Sequence, residues 1–506
     1  MKKITILLFA LFTGVLVNAQ DINDAVRYSN TSIEGSARFR AMSGAFGALG
    51  GDLSAVNVNP AGSAVFNNSF ASFTLNSNRN TSETNYFGEF NTRKSNTIDL
   101  SQVGGVFIFR NYKEGAKFKK FSLSLAYDQI GNFENEWNAT GTNGNNTIGN
   151  YFLNYAQGLR LDEISAFPGE STGDAYTEIG NAFGFDHQQA FLGYDSFILE
   201  PDTFDDDNTG YTSNISGGNY RQQYAYNSTG YNGKLAFNAA TQYNDNIYFG
   251  LNLNSHFLNF EKRTFLFESN NNDGSIVKQA VFENTLRTIG TGFSFQLGTI
   301  AKVTDGLRVG LSYESPTWYT LEDETTQYVE TLRDDGGENV VKITDPNVIT
   351  LFPTYRLQTP AKLTSSFAYV FGEKGLISLD YSVKDYSKTK FKPENETYFS
   401  DLNQFMSNTL TTATSLRLGG EYIINQFSLR GGYRYEQSPY EDDEIVGDLT
   451  GFSLGLGYNF GNTKLDLAYD RAQQDRNQSL YNVGLTDRAN INNTTSNITL
   501  TLGFNL

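Results

Sequence analysis

The sequence predicts an all-β chain, a transmembrane antiparallel β-barrel of about fourteen strands with an N-terminal segment inside its lumen. Three observations carry that expectation. The chain opens on an export-type leader, period-2 alternation recurs along most of its length, and it holds 40 Phe and 30 Tyr but only 9 Pro.

The leader comes first. Lys2 and Lys3 form a short basic stretch, Ile4 to Val17 is almost wholly apolar, and Val17-Asn18-Ala19 is a small-residue cleavage site. The apolar run is shorter than the roughly 20 residues that a membrane-spanning helix needs. Residues 1–19 are therefore expected to be a signal peptide, with the mature chain beginning near Gln20. The chain has no cysteine, so acylation of an N-terminal Cys is not expected. No later stretch approaches about 18 consecutive apolar residues, so the sequence predicts no further spanning helix. A mean hydropathy of −0.41 does not argue against a membrane, because barrel strands alternate lipid-facing with lumen-facing residues. A net charge of −17 with no basic stripe argues against nucleic acid as a partner.

Alternation is the primary strand signal. Phe427, Leu429, Tyr433 and Tyr435 share one face while Ser428, Arg430, Gly432 and Arg434 take the other. Phe452, Leu454, Leu456, Tyr458 and Phe460 alternate in the same way with Ser453, Gly455, Gly457 and Asn459. The pattern closes the chain, with Ile498, Leu500, Leu502, Phe504 and Leu506 set against Thr499, Thr501, Gly503 and Asn505. It also appears at 120–127, 246–254 and 307–314. In a barrel the apolar face meets lipid and the polar face lines the lumen. Strands are expected near 69–76, 99–109, 120–137, 228–241, 246–261, 281–303, 307–322, 359–371, 375–389, 410–424, 427–437, 450–460, 463–472 and 493–506. Short turns at 243–245, 304–306, 372–374 and 461–463 alternate with long segments at 138–227, 323–358, 390–409 and 473–492. The long segments are expected to be extracellular loops. The largest, 138–227, is too long to be bare, and Phe152, Tyr155, Leu159 and Ile164 suggest a helix within 151–164 lying against the barrel mouth.

Residues 20–68 do not alternate. They are rich in Gly and Ala, with a short helix expected at Asp52-Leu53-Ser54-Ala55 that stops before Asn59-Pro60. A barrel of this size is open to water unless something fills it, so a plug at 20–68 followed by a barrel at 69–506 is the expected organisation.

At Arg38, Gly44-Ala45, Ala48, Asp52-Leu53-Ser54-Ala55 and Asn59-Pro60-Ala61-Gly62 the chain resembles the FadL-like long-chain fatty-acid and hydrocarbon transporters of the bacterial outer membrane. The similarity extends to 307–315, 359–363, 376–381, 429–439 and 465–469. Ser43 stands where that family often has a second Gly, and the chain ends on Leu506 rather than on an aromatic residue. The resemblance implies a hatch built on Asp52, Ser54, Asn59, Pro60, Ala61 and Gly62, a ligand pocket above it, and lateral release of ligand through a strand kink. Phe46, Leu49, Val56 and Phe66, by their place in the hatch, are the candidate pocket residues.

The expected function is passive outer-membrane transport of hydrophobic small molecules. Partners would be the ligand, outer-membrane lipid and lipopolysaccharide, and the barrel-assembly machinery during biogenesis. A monomer is expected, with no cofactor, no metal and no catalytic residues. His187 and His256 are the only histidines, His256 has lumen parity, and neither belongs to a nucleophile–base pattern that would make an enzyme. The alternatives are a haem or hemin receptor, since the chain is rich in Tyr, a general porin, and a structural or adhesive barrel. Asp205-Asp206-Asp207 and Glu441-Asp442-Asp443-Glu444 lack the spacing of a cation loop and are expected to be solvated.

Overall fold

A strand that shows Leu, Phe or Tyr at every second position can expose them only where that face meets something other than water. The computed structural model describes residues 21–506, so the expected signal peptide lies outside the described residues. Fourteen wall strands follow one another around a closed antiparallel ring. They are β1 (Phe70–Tyr86), β2 (Glu89–Arg110), β3 (Phe118–Asn132, continued by Asn135–Asn143), β4 (Tyr220–Tyr243) and β5 (Ile247–Ser269). Next come β6 (Val277–Lys302), β7 (Leu307–Glu314 and Trp318–Asp335), β8 (Glu338–Thr344, Thr350–Leu351, Tyr355–Gln358 and Lys362–Val370) and β9 (Gly375–Asp385 and Lys390–Lys392). The ring ends with β10 (Thr412–Ile424), β11 (Phe427–Glu436), β12 (Leu449–Asn459), β13 (Thr463–Ser479) and β14 (Arg488–Asn505). β14 pairs with β1 from Phe70↔Asn505 to Asn85↔Asn490 and closes the barrel.

The faces divide as the alternation predicts. Leu454 is 57% exposed and Ser453 2%, and the same parity holds for Phe427 and Leu429 against Arg430, and for Leu500 and Leu502 against Thr499 and Thr501. No helix among the described residues is long and apolar enough to cross a membrane. At one end the connections are short, as at 244–246, 303–306, 371–374, 425–426 and 460–462, while the long ones, 144–219 and 393–411 above all, lie at the other, the arrangement of periplasmic and extracellular ends.

Each expected segment holds a strand, but many strands run further than the alternation. β4, β5 and β6 are 24, 23 and 26 residues long, against about 9–11 needed to span a bilayer. The excess stands above the lipid, where the outward face meets water and apolar residues at alternate positions lose their purpose. For this reason β1 and β2 form a hairpin whose polar upper half, 77–98, the sequence reading missed. Much of the expected loop 323–358 is the upper part of β7 and β8, and 473–492 holds the ends of β13 and β14.

Segment 138–227 is a structured cap. It contains α3 (Ile148–Ala156), α4 (Thr172–Phe183) and α5 (Phe185–Asp195). The expected helix begins earlier and ends sooner than its apolar spacing suggested. Leu159 and Ile164 lie beyond α3 yet pack into the same cluster as Phe152, with Phe191 and Phe282. A sixth helix, α6 (Thr397–Thr409), occupies the expected loop at 390–409.

The N-terminal segment carries α1 (Ile22–Ser29), α2 (Ala37–Ala41) and single 3₁₀ turns at Ser54–Asn57 and Pro60–Val65. It lies against the inward faces of the strands, and most of 36–66 is buried.

The wall is discontinuous at one place. β2 pairs with β3 only between Gln102↔Asp128 and Arg110↔Lys120. Above that level β3 breaks at Phe133-Glu134 and turns inward over the lumen face of β1, where Asn135 Oδ1 accepts from Asn80 Nδ2 at 3.0 Å. In the backbone ladder, residues 89–101 of β2 thus pair with β1 alone among the described strands.

Candidate functional site: the lumen and its two chambers

Glycines on the inward face set how closely the N-terminal segment approaches the wall. A Cβ on Gly298 would lie 2.0 Å from Asn59 Oδ1, and one on Gly250 would lie 2.2 Å from the Pro60 carbonyl carbon. Gly310 meets the Gly47 carbonyl at 2.3 Å, Gly455 meets Ala41 Cβ at 2.4 Å, and Gly419 meets the Met42 carbonyl at 2.6 Å in the same sense. Glycine inside a strand often marks the close approach of another backbone. Here it forms a seat on β5, β6, β7, β10 and β12.

The residues of the expected hatch motif hold this segment's own shape and its contact with the wall. Asp52 accepts from Ser36 Oγ at 2.9 Å and from the Ser54 amide at 2.9 Å, and Ser54 Oγ accepts from the Ser36 amide at 2.7 Å. Burial raises the Asp52 carboxyl above its ordinary range, while Arg38 and these hydrogen bonds pull it back. Asn59 Nδ2 donates to the Gly47 carbonyl at 2.7 Å and to the Thr299 carbonyl on β6 at 2.9 Å. Its Oδ1 accepts from the Ala61 amide at 3.1 Å, and the Pro60 carbonyl accepts from Asn238 Nδ2 at 2.9 Å. Gly62 passes Gly50, whose φ is +60°, so closely that a Cβ on Gly50 would lie 2.8 Å from its Cα.

Charge adds further anchors. Arg40 is fully buried between Glu34 and Asp470, Arg38 reaches Glu421 on β10 at 2.6 Å, and Asp380 on β9 accepts from the Phe46 and Gly47 amides.

Two joined chambers lie on the extracellular side. The upper one, about 950 Å³, is walled by aromatic side chains such as Phe133, Tyr151, Phe183 and Tyr481, with Arg27, Lys262 and Arg476 among them. The lower one, about 300 Å³, is polar and reaches Glu34 and Arg40. Asn30, Asn80, Asn132 and Glu134 line both. Of these, Asn132 ends the lower part of β3 and Glu134 lies in its break. Asn132 Nδ2 donates to Asp99 Oδ2 at 2.9 Å, one side-chain bridge across the unpaired stretch of wall.

α1 forms part of the upper chamber. Asp21 and Asp24 cap its N-terminus reciprocally, Arg27 pairs with Asp24, and the Arg27 guanidinium lies 4.1 Å from the centre of the Phe260 ring. Burial, then the neighbouring charge of Asp21, raises the Asp24 carboxyl to about 6.

The structure places Phe46, Leu49, Val56 and Phe66 elsewhere than the chambers. Phe46 and Leu49 pack with Phe39, Met42 and Ala368, Phe66 packs with Leu53 and Val106, and Val56 is buried in its 3₁₀ turn. The upper chamber's walls come from α1, α6, the strand tops and the cap, and the lower chamber's from 30–34, Arg40, Val58 and inward strand residues, none of them in the expected hatch motif. His256 faces the lumen as expected, with Nε2 2.8 Å from Ser294 Oγ, to which Asn254 Nδ2 also donates at 3.1 Å. His187 stacks on Phe183 in the cap, with ring centres 4.8 Å apart.

Comparison with solved structures finds the same fold. A Pseudomonas aeruginosa FadL homologue aligns over 94% of this chain and 99% of its own, with a TM-score of 0.56 at 12% identity. The P. putida toluene transporter TodX aligns over 94% and 99%, with a TM-score of 0.53 at 12% identity. No curated protein matches the sequence. The family model described as outer membrane protein transport protein (OMPP1/FadL/TodX) matches residues 207–506. A fourteen-stranded wall and this match over more than half of the chain make the protein a member of the OMPP1/FadL/TodX family of outer-membrane transport proteins.

Proposed function

We propose that the protein carries small hydrophobic molecules, such as long-chain fatty acids, passively across the outer membrane. The upper chamber receives the ligand, residues 20–68 form a hatch beneath it, and the ligand leaves sideways into the bilayer between β2 and β3. The lowest part of the unpaired edge of β2, at 98–101, reaches the apolar band and carries this reading, because Asp99 there accepts from Asn132, which with Glu134 lines the chambers. Sideways exit suits such a cargo, since an apolar molecule gains about 0.8 kcal/mol per buried CH₂ by staying out of water. The buried segment at 36–66 speaks against an open porin. A monoaromatic hydrocarbon is a second cargo, favoured by the rings of Phe133, Tyr151, Phe183 and Tyr481.

The test uses the absence of native cysteine. Asp99→Cys and Asn132→Cys are introduced together and bridged with a short, reducible dithiol cross-linker, and uptake of labelled oleate and toluene is measured. Uptake should fall when the bridge forms and return on reduction. Equal uptake in both states would overturn the sideways exit. Large ion conductance unchanged by deletion of residues 20–45 would return the protein to the porins.

A further inference from the structure

The outer wall carries a group of cations that the transport reading does not use. Strand register places Arg471 on β13, Ser496 on β14, Arg79 on β1 and Asn96 on β2 in one row. Lys94 stands two residues above Asn96 on β2, opposite Thr81. Arg79, Lys94 and Arg471 are all exposed and line a single outer groove of about 650 Å³. Two strand spacings put the Arg79 and Arg471 backbones about 10 Å apart.

The level of this row fixes what it meets. One pair lower, Tyr469, Ile498, Ser77 and Ile98 form the next outward row, and below that stand Leu467, Leu500, Leu75 and Leu100. The cations therefore sit one step, about 7 Å, above the upper margin of the apolar band. They lie at the end bearing the long loops, which is the outer leaflet. Gln473, Asn492 and Thr494 continue the groove upward with amide and hydroxyl groups.

Pairing separates these cations from their neighbours. Elsewhere on the upper wall, Arg221 pairs with Glu89, Arg263 with Glu261 and Arg287 with Glu324. Among the described residues Arg79, Lys94 and Arg471 enter no ion pair, although Glu83 lines the same groove. Three cations without an ion pair over an apolar face, with hydrogen-bonding groups above them, match a lipid whose phosphates are carried on the same sugars that bear its acyl chains.

We propose that the face formed by β13, β14, β1 and β2 binds the phosphate groups of an outer-leaflet glycolipid, with acyl chains against Tyr469, Ile498 and Leu500. Lys94 and Ile98 belong to the unpaired edge of β2, so the bound lipid stands beside that edge.

The test is native mass spectrometry of the full chain in mild detergent, with added diphosphoryl lipid A or phosphatidylcholine. The combined variant Arg79→Gln, Lys94→Gln and Arg471→Gln should retain lipid A at least about tenfold less well, with phosphatidylcholine unchanged. Glu83→Gln should retain it better, and Lys113→Gln with Lys117→Gln, at the opposite end, should leave it unchanged. Heat-modifiable gel mobility reports that each barrel is folded. Equal retention by the triple variant and the unaltered protein would overturn the proposal, as would an equal loss in the Lys113 and Lys117 variant. Displacement of the lipid by equimolar inorganic phosphate would reassign the groove to free phosphate.

Discussion

Arg40 and Asp470 lie 430 positions apart in sequence and meet in a two-point ion pair, Nε to Oδ1 at 2.8 Å and Nη2 to Oδ2 at 3.2 Å. Arg40 is 1% exposed, and removing Asp470 leaves Glu34 as its one ion-pair partner among the described residues. Removing one partner of a buried pair costs up to about 3–5 kcal/mol. Asp470→Ala should loosen the N-terminal segment within an intact barrel. Limited proteolysis should then cut within 30–60, and single-channel recordings should show conductance that the unaltered protein lacks.

The glycine seat gives a steric counterpart. Gly298→Ala places a methyl group 2.0 Å from the Asn59 carboxamide, and Gly250→Ala places one against the Pro60 backbone. Overpacking of this kind costs about 1–3 kcal/mol. Both variants should lower the temperature at which folded gel mobility is lost. Gly461→Ala, where a Cβ meets open space but φ is +96°, separates backbone strain at a turn from collision in the lumen.

Ser43 occupies a left-handed conformation with φ of +50°, at the position where the family resemblance anticipates glycine. Its hydroxyl lies 2.9 Å from Ser453 Oγ, which also donates to the Ala41 carbonyl. Ser43→Gly and Ser43→Ala both lose the hydroxyl, and only the alanine keeps the strain. The glycine variant should be the more stable of the two by about 1 kcal/mol, measured by urea unfolding in detergent.

Glu268, at the top of β5, holds the extracellular cap. It accepts from the Thr147 hydroxyl, from the Ile148 amide at 3.0 Å and from Gln222 Nε2 at 2.7 Å, and so ties the start of α3 to the wall. Glu268→Ala leaves these donors buried and unpaired, at about 1–3 kcal/mol each. Hydrogen exchange across 148–156 should quicken while exchange in β10 to β12 stays unchanged.

What the sequence discloses follows the solvent. Between the membrane margins, lipid on one side and lumen on the other impose alternation, and Phe452 to Phe460 could be assigned to faces by inspection. Above the margin that constraint lifts. The polar stretch from Ser77 to Ile98 then carries no period, although it forms a tight hairpin that turns at Phe87-Gly88. The block from Asp52 to Gly62 was legible as a motif because its backbone fits a glycine seat. Phe46, Leu49, Val56 and Phe66 stood as candidates by their place in the hatch, but that place packs Phe46 and Leu49 with Phe39, Met42 and Ala368 and Phe66 with Leu53 and Val106, away from the chambers. The chamber residues Arg27, Phe133 and Arg476 come from three distant elements, and their convergence exists only once the strands are in register.

Closure of the ring has a consequence for how the molecule is made. The seam joins Phe70 to Asn505, so the first wall strand waits unpaired on one side until the last has been supplied. Most of residues 36–66 lie buried inside that ring, packed against the glycine seat. Ala37 donates to Thr501 of β14 at 2.7 Å and Arg40 binds Asp470 of β13, contacts that arise only at the final steps. The N-terminal segment is thus bonded to the two strands that complete the wall. Such long-range pairing makes for slow assembly, with loading of the lumen and completion of the wall joined in one event.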